Sequence, residues 1–214
     1  MLSGRRIILG VTGGIAAYKA AFLLRALQQE GAEVRVTMTR AATRFVGAET
    51  FATLSGSPVG VDIFPDDSDP DSWTRHIAWG EWADLFLIAP CTANTMAKIA
   101  GGQADNMLAS TLLAARCPVL LCPTMDGEMY RAPATRRNLQ TLRTTATIFC
   151  SPKAATWPAD WREGVACRKP TPSWHAAARS WRPRAPPGRT GRSWKSGPWT
   201  EKRCWSPPDP PGNL

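Results

Sequence analysis

A few short stretches of this sequence hold residues that could do chemistry. Gly13-Gly14-Ile15 follows an apolar run and opens a helical pattern. Such a turn lets backbone N–H groups approach an anion, and the dipole of the following helix favours negative charge. It matches neither the G-x-G-x-x-G dinucleotide pattern nor the P-loop with its Lys-Ser/Thr, so an anion site and a plain tight turn read equally well. Thr39, just past a second apolar run, could add a hydroxyl to the same anion or cap a helix. Pro90-Cys91-Thr92-Ala93-Asn94-Thr95 places hydroxyls and an amide directly after a third apolar run. They could hydrogen-bond a flat heterocycle or its ribityl chain, and Thr92 or Asn94 could equally be a helix cap. His76 is the only His in the first 150 residues and lies beside Ile77, Trp79 and Trp82. A His against aromatic walls can take and return protons near neutral pH, although a lone His is more often structural. Cys91, Cys117, Cys122 and Cys150 lie in or beside apolar runs and read as small core hydrophobes rather than nucleophiles.

The elements that must position these residues alternate in type. Residues 5–12, 33–38, 84–89, 118–122 and 146–149 read as strands, with a short strand at 59–64. Residues 15–30, 41–54, 95–115 and 133–142 read as helices, with Gly31 closing the first and Gly101-Gly102 breaking the third. An acidic loop covers 66–73. This alternation predicts an α/β fold, a parallel sheet covered on both faces, with ligands bound beyond the carboxyl ends of its strands. The loops at 12–15, 38–42, 90–95 and 123–129 are therefore the ones that matter.

Composition divides the chain near Cys150. Residues 1–150 hold 14 Lys+Arg and 13 Asp+Glu, whereas 151–214 hold 12 and 4, with 12 of the 19 Pro and seven of the ten Trp. Val165 and Leu214 are the only Ile, Leu, Val, Met or Phe in that second part. It lacks the apolar surface to offset its chain entropy, which predicts an unstructured tail. Its charges have no period, so a nucleic-acid-binding arm is a poor reading. No apolar run approaches the roughly 20 residues that cross a bilayer. The six Cys show no C-x-x-C spacing, which argues against a zinc ribbon or disulfide scaffold and for a reducing cytoplasm.

Five motifs occur in one order: Gly13-Gly14-Ile15-Ala16-Ala17-Tyr18-Lys19; His76-Ile77; Ala89-Pro90-Cys91-Thr92-Ala93-Asn94-Thr95-Met96-Ala97-Lys98; Ala104-Asp105-Asn106-Met107-Leu108; and Pro123-Thr124-Met125-Asp126-Gly127-Glu128-Met129-Tyr130. The series resembles the homo-oligomeric FMN-containing cysteine decarboxylases, and within them those acting on 4′-phosphopantothenoylcysteine in coenzyme A biosynthesis. The likeness covers residues 1–150. It implies a Rossmann-like (flavodoxin-like) doubly wound subunit, assembled as a trimer or a dodecamer of trimers, with FMN at subunit contacts. Gly13, Gly14 and Ile15 would hold the FMN phosphate end, and Thr39, Thr92, Ala93, Asn94 and Thr95 the rest. His76 matches the active-site His, while Asn106, Met125, Asp126 and Met129 fall in substrate-binding motifs. Asp126 stands where Asn is usual and trades an amide donor for a carboxylate. The implied reaction oxidises the cysteinyl thiol to a thioaldehyde, releases CO2 to give an enethiol, and reduces that to 4′-phosphopantetheine with a proton from a protein Cys. A flavin prenyltransferase, a peptidyl-cysteine decarboxylase and a non-catalytic flavin-binding regulatory protein are the alternatives on this scaffold.

The proton-donating Cys of such enzymes lies in a run A-C-G-x-x-G-x-G-R-M-P-E, which 151–214 lacks. Starting the codons one nucleotide earlier across residues 152–169 permits P-E-G-G-H-L-A-C-G-L-E-G-R-G-R-M-P-E. The same shift across 204–214 permits V-L-V-T-A-G-P-T-R-E-P, similar to the nucleotide loop of the synthetase half of bifunctional relatives. A one-nucleotide frameshift near residues 150–151 is therefore expected. It accounts for the Trp, Pro and Arg excess without a binding function.

Overall fold

The computed structural model describes residues 2–64 and 73–144, together with the backbone of 148–149 and 164–165. Near-continuous apolar runs become the strands β1 (Arg6–Val11), β2 (Glu33–Met38), β3 (Leu85–Cys91), β4 (Val119–Pro123) and, at the far edge, Ile148–Phe149. All pair in parallel, in the spatial order second, first, third, fourth, fifth. That is the flavodoxin-like order, whose topological switch point lies between β1 and β3.

Alternate residues of each strand feed two separate core layers. Ile7, Leu9 and Val11 of β1, Leu85, Leu87 and Ala89 of β3, and Val34 and Val36 of β2 face one side. There α1 (Ala17–Gln29) brings Ala20, Leu24 and Leu27, and a later helix brings Phe51. Ile8, Phe86, Ile88 and Leu121 face the other side, against Trp79, Met96, Met107, Leu108, Leu139 and Leu142.

The expected helix at 41–54 is two helices, α2 (Arg40–Thr43) and α3 (Ala48–Ser55). Gly47 at the start of α3 has extended backbone, φ −61° and ψ 146°, which no continuous helix accommodates. The expected strand at 59–64 is reduced to a bridge at Gly60, whose amide donates to Val36 O and whose carbonyl accepts from Met38 N. Beyond it lies α4 (Arg75–Trp82). The anticipated break at Gly101-Gly102 separates α5 (Ala93–Ala100) from α6 (Met107–Ala114), and Gly102 takes the left-handed φ of +68° that this reversal requires. Against α6, the Gly80 position of α4 has no room for a side chain: a Cβ there would stand 2.8 Å from the carbonyl carbon of Ala114.

After β4 come the short strand β5 (Met125–Asp126) and helices α7 (Gly127–Arg131) and α8 (Pro133–Thr144). The edge strand Ile148–Phe149 is β6, and β7 (Gly164–Val165) pairs antiparallel with β5, Met125 opposite Val165. Apart from β7, the expectation of an unstructured tail at 151–214 lies outside the described residues. So does Cys150. The chain divides after Trp181 into two units, and everything described here belongs to the first. Among the described residues, no helix is long and apolar enough to cross a membrane.

Candidate functional site

Beyond the carboxyl ends of the central strands lies a cleft of about 780 Å³, within the usual size range of small-molecule sites. Each strand contributes its following loop: Gly13 after β1, Thr39 to Ala41 after β2, Thr92 to Thr95 after β3, and Thr124 and Met125 after β4. The floor between β1 and β3 is knit by one side chain. Thr12 is fully buried; its Oγ1 donates to the Pro90 carbonyl at 2.8 Å and accepts from the Thr92 amide at 3.0 Å. The Ala89-Pro90 peptide, near the end of β3, is cis. Gly13 is fixed by close approach, since a Cβ would stand 2.5 Å from the Ala41 Cβ. The space beside Gly14 is open by comparison, with only Thr92 Cγ2 at 3.6 Å.

The polar side of the cleft is built from helix starts. Thr92 caps α5, its Oγ1 accepting from Thr95 N at 3.4 Å and donating to Thr95 Oγ1 at 3.2 Å. The Ala93 and Asn94 amides, at the first two helical positions, have no partner within the helix. Asn106 caps α6 through Oδ1, which accepts from Ala109 N at 3.0 Å. Thr39 caps α2, accepting from Ala42 N at 3.3 Å. The capping expected of Thr39 and Thr92 is thus present, and both residues still line the cleft. Such ends favour an anionic ligand. Ile63, Phe64, Met125 and Met129 supply apolar wall.

Two ion pairs keep the lining near neutral. Arg40 Nε meets Asp62 Oδ1 at 2.7 Å, and Lys98 Nζ pairs with Asp105 Oδ2. The Lys98 bond holds the Asp105 carboxyl below its ordinary pKa. Burial pushes the Cys91 thiol far above its ordinary range and the Cys117 thiol up to about 11, so neither is a thiolate at neutral pH.

Of the residues singled out from the sequence, Gly13, Thr39, Thr92, Ala93, Asn94, Thr95, Asn106, Met125 and Met129 meet in this cleft. Gly14, Ile15, Asp126 and His76 are not among its lining residues. Asp126 caps α7, accepting from Glu128 N at 2.8 Å. Ile15 is 65% exposed at the mouth of the first loop. His76 sits in the first turn of α4, its Nδ1 buried and without a hydrogen-bond partner. Thr12, Lys98 and Asp105 also contribute, although the sequence does not single them out. Lys98 and Asp105 lie inside the motif series and Thr12 abuts the Gly-Gly turn, but nothing in the sequence shows that they bond to these partners.

Comparison with known proteins agrees with this fold. The family model described as Flavoprotein matches residues 1–168, past the compositional break at Cys150. The coenzyme A biosynthesis bifunctional protein CoaBC of Mycolicibacterium smegmatis is 47% identical over 152 residues, 71% of this chain and 36% of that protein. CoaBC of Escherichia coli K12 is 40% identical over 155 residues, 72% of this chain and 38% of the other. The chain thus spans little more than a third of the length of these curated relatives. Among solved structures, the FMN-dependent cysteine decarboxylase SpaF superposes with a TM-score of 0.64 at 33% identity, over 72% of this chain and 87% of its own. A PPC decarboxylase mutant complexed with pantothenoylaminoethenethiol gives 0.69 at 27% identity, over 81% and 96%. Fold order and motif series converge with these matches, and the chain belongs to the flavoprotein family.

Proposed function

We propose that the chain is an FMN-dependent decarboxylase of 4′-phosphopantothenoylcysteine, serving coenzyme A biosynthesis in the cytoplasm. The observation that carries this reading is the cleft at the β1/β3 switch point, where unpaired helix-start amides and hydroxyls face an apolar wall. Those residues fit a flavin mononucleotide. Amides of Ala93 and Asn94 with the Thr39 hydroxyl suit its phosphate and ribityl chain, the Gly14 turn stands open beside Thr92, and Ile63, Phe64 and Met125 suit a flat ring. Ile15 contributes through its backbone in the same turn. When bound, FMN supplies an electron-pair acceptor next to the substrate thiol, which removes the need for an unstabilised carbanion on loss of CO2.

The chain's own residues bind, orient and move protons. Asn106, Met125 and Met129 hold the substrate across the cleft from Thr92, with Asp126 capping the helix that carries Met129. His76 handles a proton. Its place outside this chain's cleft suits a site completed by a neighbouring subunit. Assembly as a homotrimer, or a dodecamer of trimers, also suits the exposed apolar side chains at the start of α1, where Ile15, just before the helix, and Phe22, within it, are each 65% exposed. Residues 151–214 carry no A-C-G-x-x-G-x-G-R-M-P-E run, so the final reduction of the enethiol is impaired. The one-nucleotide shift near residues 150–151 accounts for that loss, and resequencing the stretch tests it.

The test of the reading is purification followed by single-turnover mass spectrometry. The expected result is a yellow protein with stoichiometric FMN that converts the substrate to the decarboxylated enethiol. A folded, colourless protein that does not take up FMN overturns the reading.

A further inference from the structure

The Asn106 amide is held at both ends, and the hold extends through two charged side chains to α5. Its Oδ1 caps α6 by accepting from Ala109 N at 3.0 Å, which turns the Nδ2 group away from the helix. One Nδ2 hydrogen goes to Asp105 Oδ1 at 2.8 Å. The other oxygen of Asp105 takes the ammonium of Lys98. A side-chain amide carries two N–H donors, so one remains, and Lys98, Asp105 and Asn106 all line the cleft. The reversal at Gly101-Gly102 makes this possible: Gln103 N returns to Lys98 O at 2.9 Å, which brings Asp105 back alongside Lys98.

An amide cap can swivel when nothing holds its nitrogen. Here the carboxylate fixes it, and the ammonium fixes and neutralises the carboxylate. Without Lys98, Asp105 would present an uncompensated negative charge to an anionic ligand. A carboxylate in the lining of an anion-binding cleft is otherwise counterproductive.

We propose that Lys98 and Asp105 are positioning residues that aim the remaining Asn106 N–H at a carboxylate or carbonyl oxygen of the substrate. This rests on the reading of the cleft given above. The pair acts on substrate binding through Asn106 and leaves the flavin subsite alone.

The test uses the full chain and the variants Lys98→Met, Lys98→Arg, Asp105→Ala and Asn106→Asp. Asn106→Asp keeps an oxygen to cap α6 and removes the donor. Substrate binding is followed by calorimetry with 4′-phosphopantothenoylcysteine, CO2 release by single-turnover kinetics over a range of substrate concentrations, and FMN by flavin absorbance per subunit. Lys98→Met, Asp105→Ala and Asn106→Asp are expected to raise Kd, and the substrate concentration at half-maximal single-turnover rate, about tenfold, the loss of one charge-assisted bond. In Lys98→Met and Asp105→Ala, the single-turnover rate at saturating substrate changes less than twofold and FMN content is unchanged. Lys98→Arg, which keeps the charge, restores most of the affinity. A parent that binds substrate while Lys98→Met and Asp105→Ala bind it equally well overturns the positioning role alone. So does a loss confined to the saturated rate. A parent that neither retains FMN nor binds substrate overturns the reading of the cleft, and the role of the pair falls with it.

Discussion

Replacing Thr12 with Val tests whether one buried hydroxyl holds the floor of the cleft. Valine matches threonine in shape and strand preference, so no cavity opens and the backbone need not move. What disappears is the bridge from Oγ1 to the Pro90 carbonyl at 2.8 Å and from the Thr92 amide at 3.0 Å. Each buried polar group left without a partner costs about 1–3 kcal/mol. Thr12 is fully buried but Thr92 is only half-buried, so water can recover part of the second loss. The expected destabilisation is about 3 kcal/mol, roughly a hundredfold in the folding equilibrium. Urea unfolding at fixed protein concentration, compared at equal m, measures it. Thr12→Ser, which keeps the oxygen, should lie much nearer the parent. The Thr12→Val variant should also retain less FMN, because the amides of Ala93 and Asn94 open the helix that follows directly on the Pro90–Thr92 segment it releases. A Val variant within 1 kcal/mol of the parent and fully yellow would refute the reasoning.

Three further outcomes are expected. Gly13→Ala forces a Cβ to within 2.5 Å of the Ala41 Cβ and 2.7 Å of its carbonyl carbon. Overpacking of this kind should lower stability by about 2 kcal/mol and displace α2 from the cleft, read as a lower urea midpoint and loss of bound flavin. His76→Asn should reduce CO2 release by about a hundredfold or more, with FMN content unchanged. A purely regulatory flavin protein would show no such loss in its interactions, and unaltered turnover would remove His76 from the reaction. Burial alone would raise the Asp84 pKa, but bonds from the Arg6 side chain and amide bring it below its ordinary 3.8. A lowered folded-state pKa gives stability that is present above 3.8 and lost as pH falls through the lowered value. Asp84→Asn should therefore flatten the acid limb of stability against pH, with little change in its slope near neutrality.

How legible the molecule is from its residues depends on the range of the forces involved. The β1 and β3 runs are apolar on both faces, and only a strand covered twice needs that, so the sheet follows from local pattern. Gly101-Gly102 marks its own break. The split between α2 and α3 is less visible, because Phe45-Val46-Gly47 keeps an apolar character that a helix could use. The strand expected at 59–64 shrinks to the bridge at Gly60, a position pressed so closely against other elements that a Cβ would meet Met107 Cγ at 3.0 Å and Trp79 at 3.2 Å, and that tertiary contact has no local signature. In the cleft, Thr39 and Thr92 could be placed because caps and strand ends are short-range features. The Thr12 bridge joins residues 78 and 80 positions apart, and no local pattern encodes it. For His76, the aromatic neighbours allow a proton carrier as readily as a core histidine, and only the family likeness favours the first.

The contact at Gly80 reaches further than its distance from the cleft suggests. With its backbone pressed to that of Ala114, helix α4 cannot slide over α6, so the imidazole at one end of α4 and the amide that starts α6 are mounted on a single block. Any residue larger than glycine at position 80 must pry that block open and shift both groups together. A saturation-mutagenesis screen for flavin-dependent turnover should therefore find position 80 as intolerant as the residues that touch ligand.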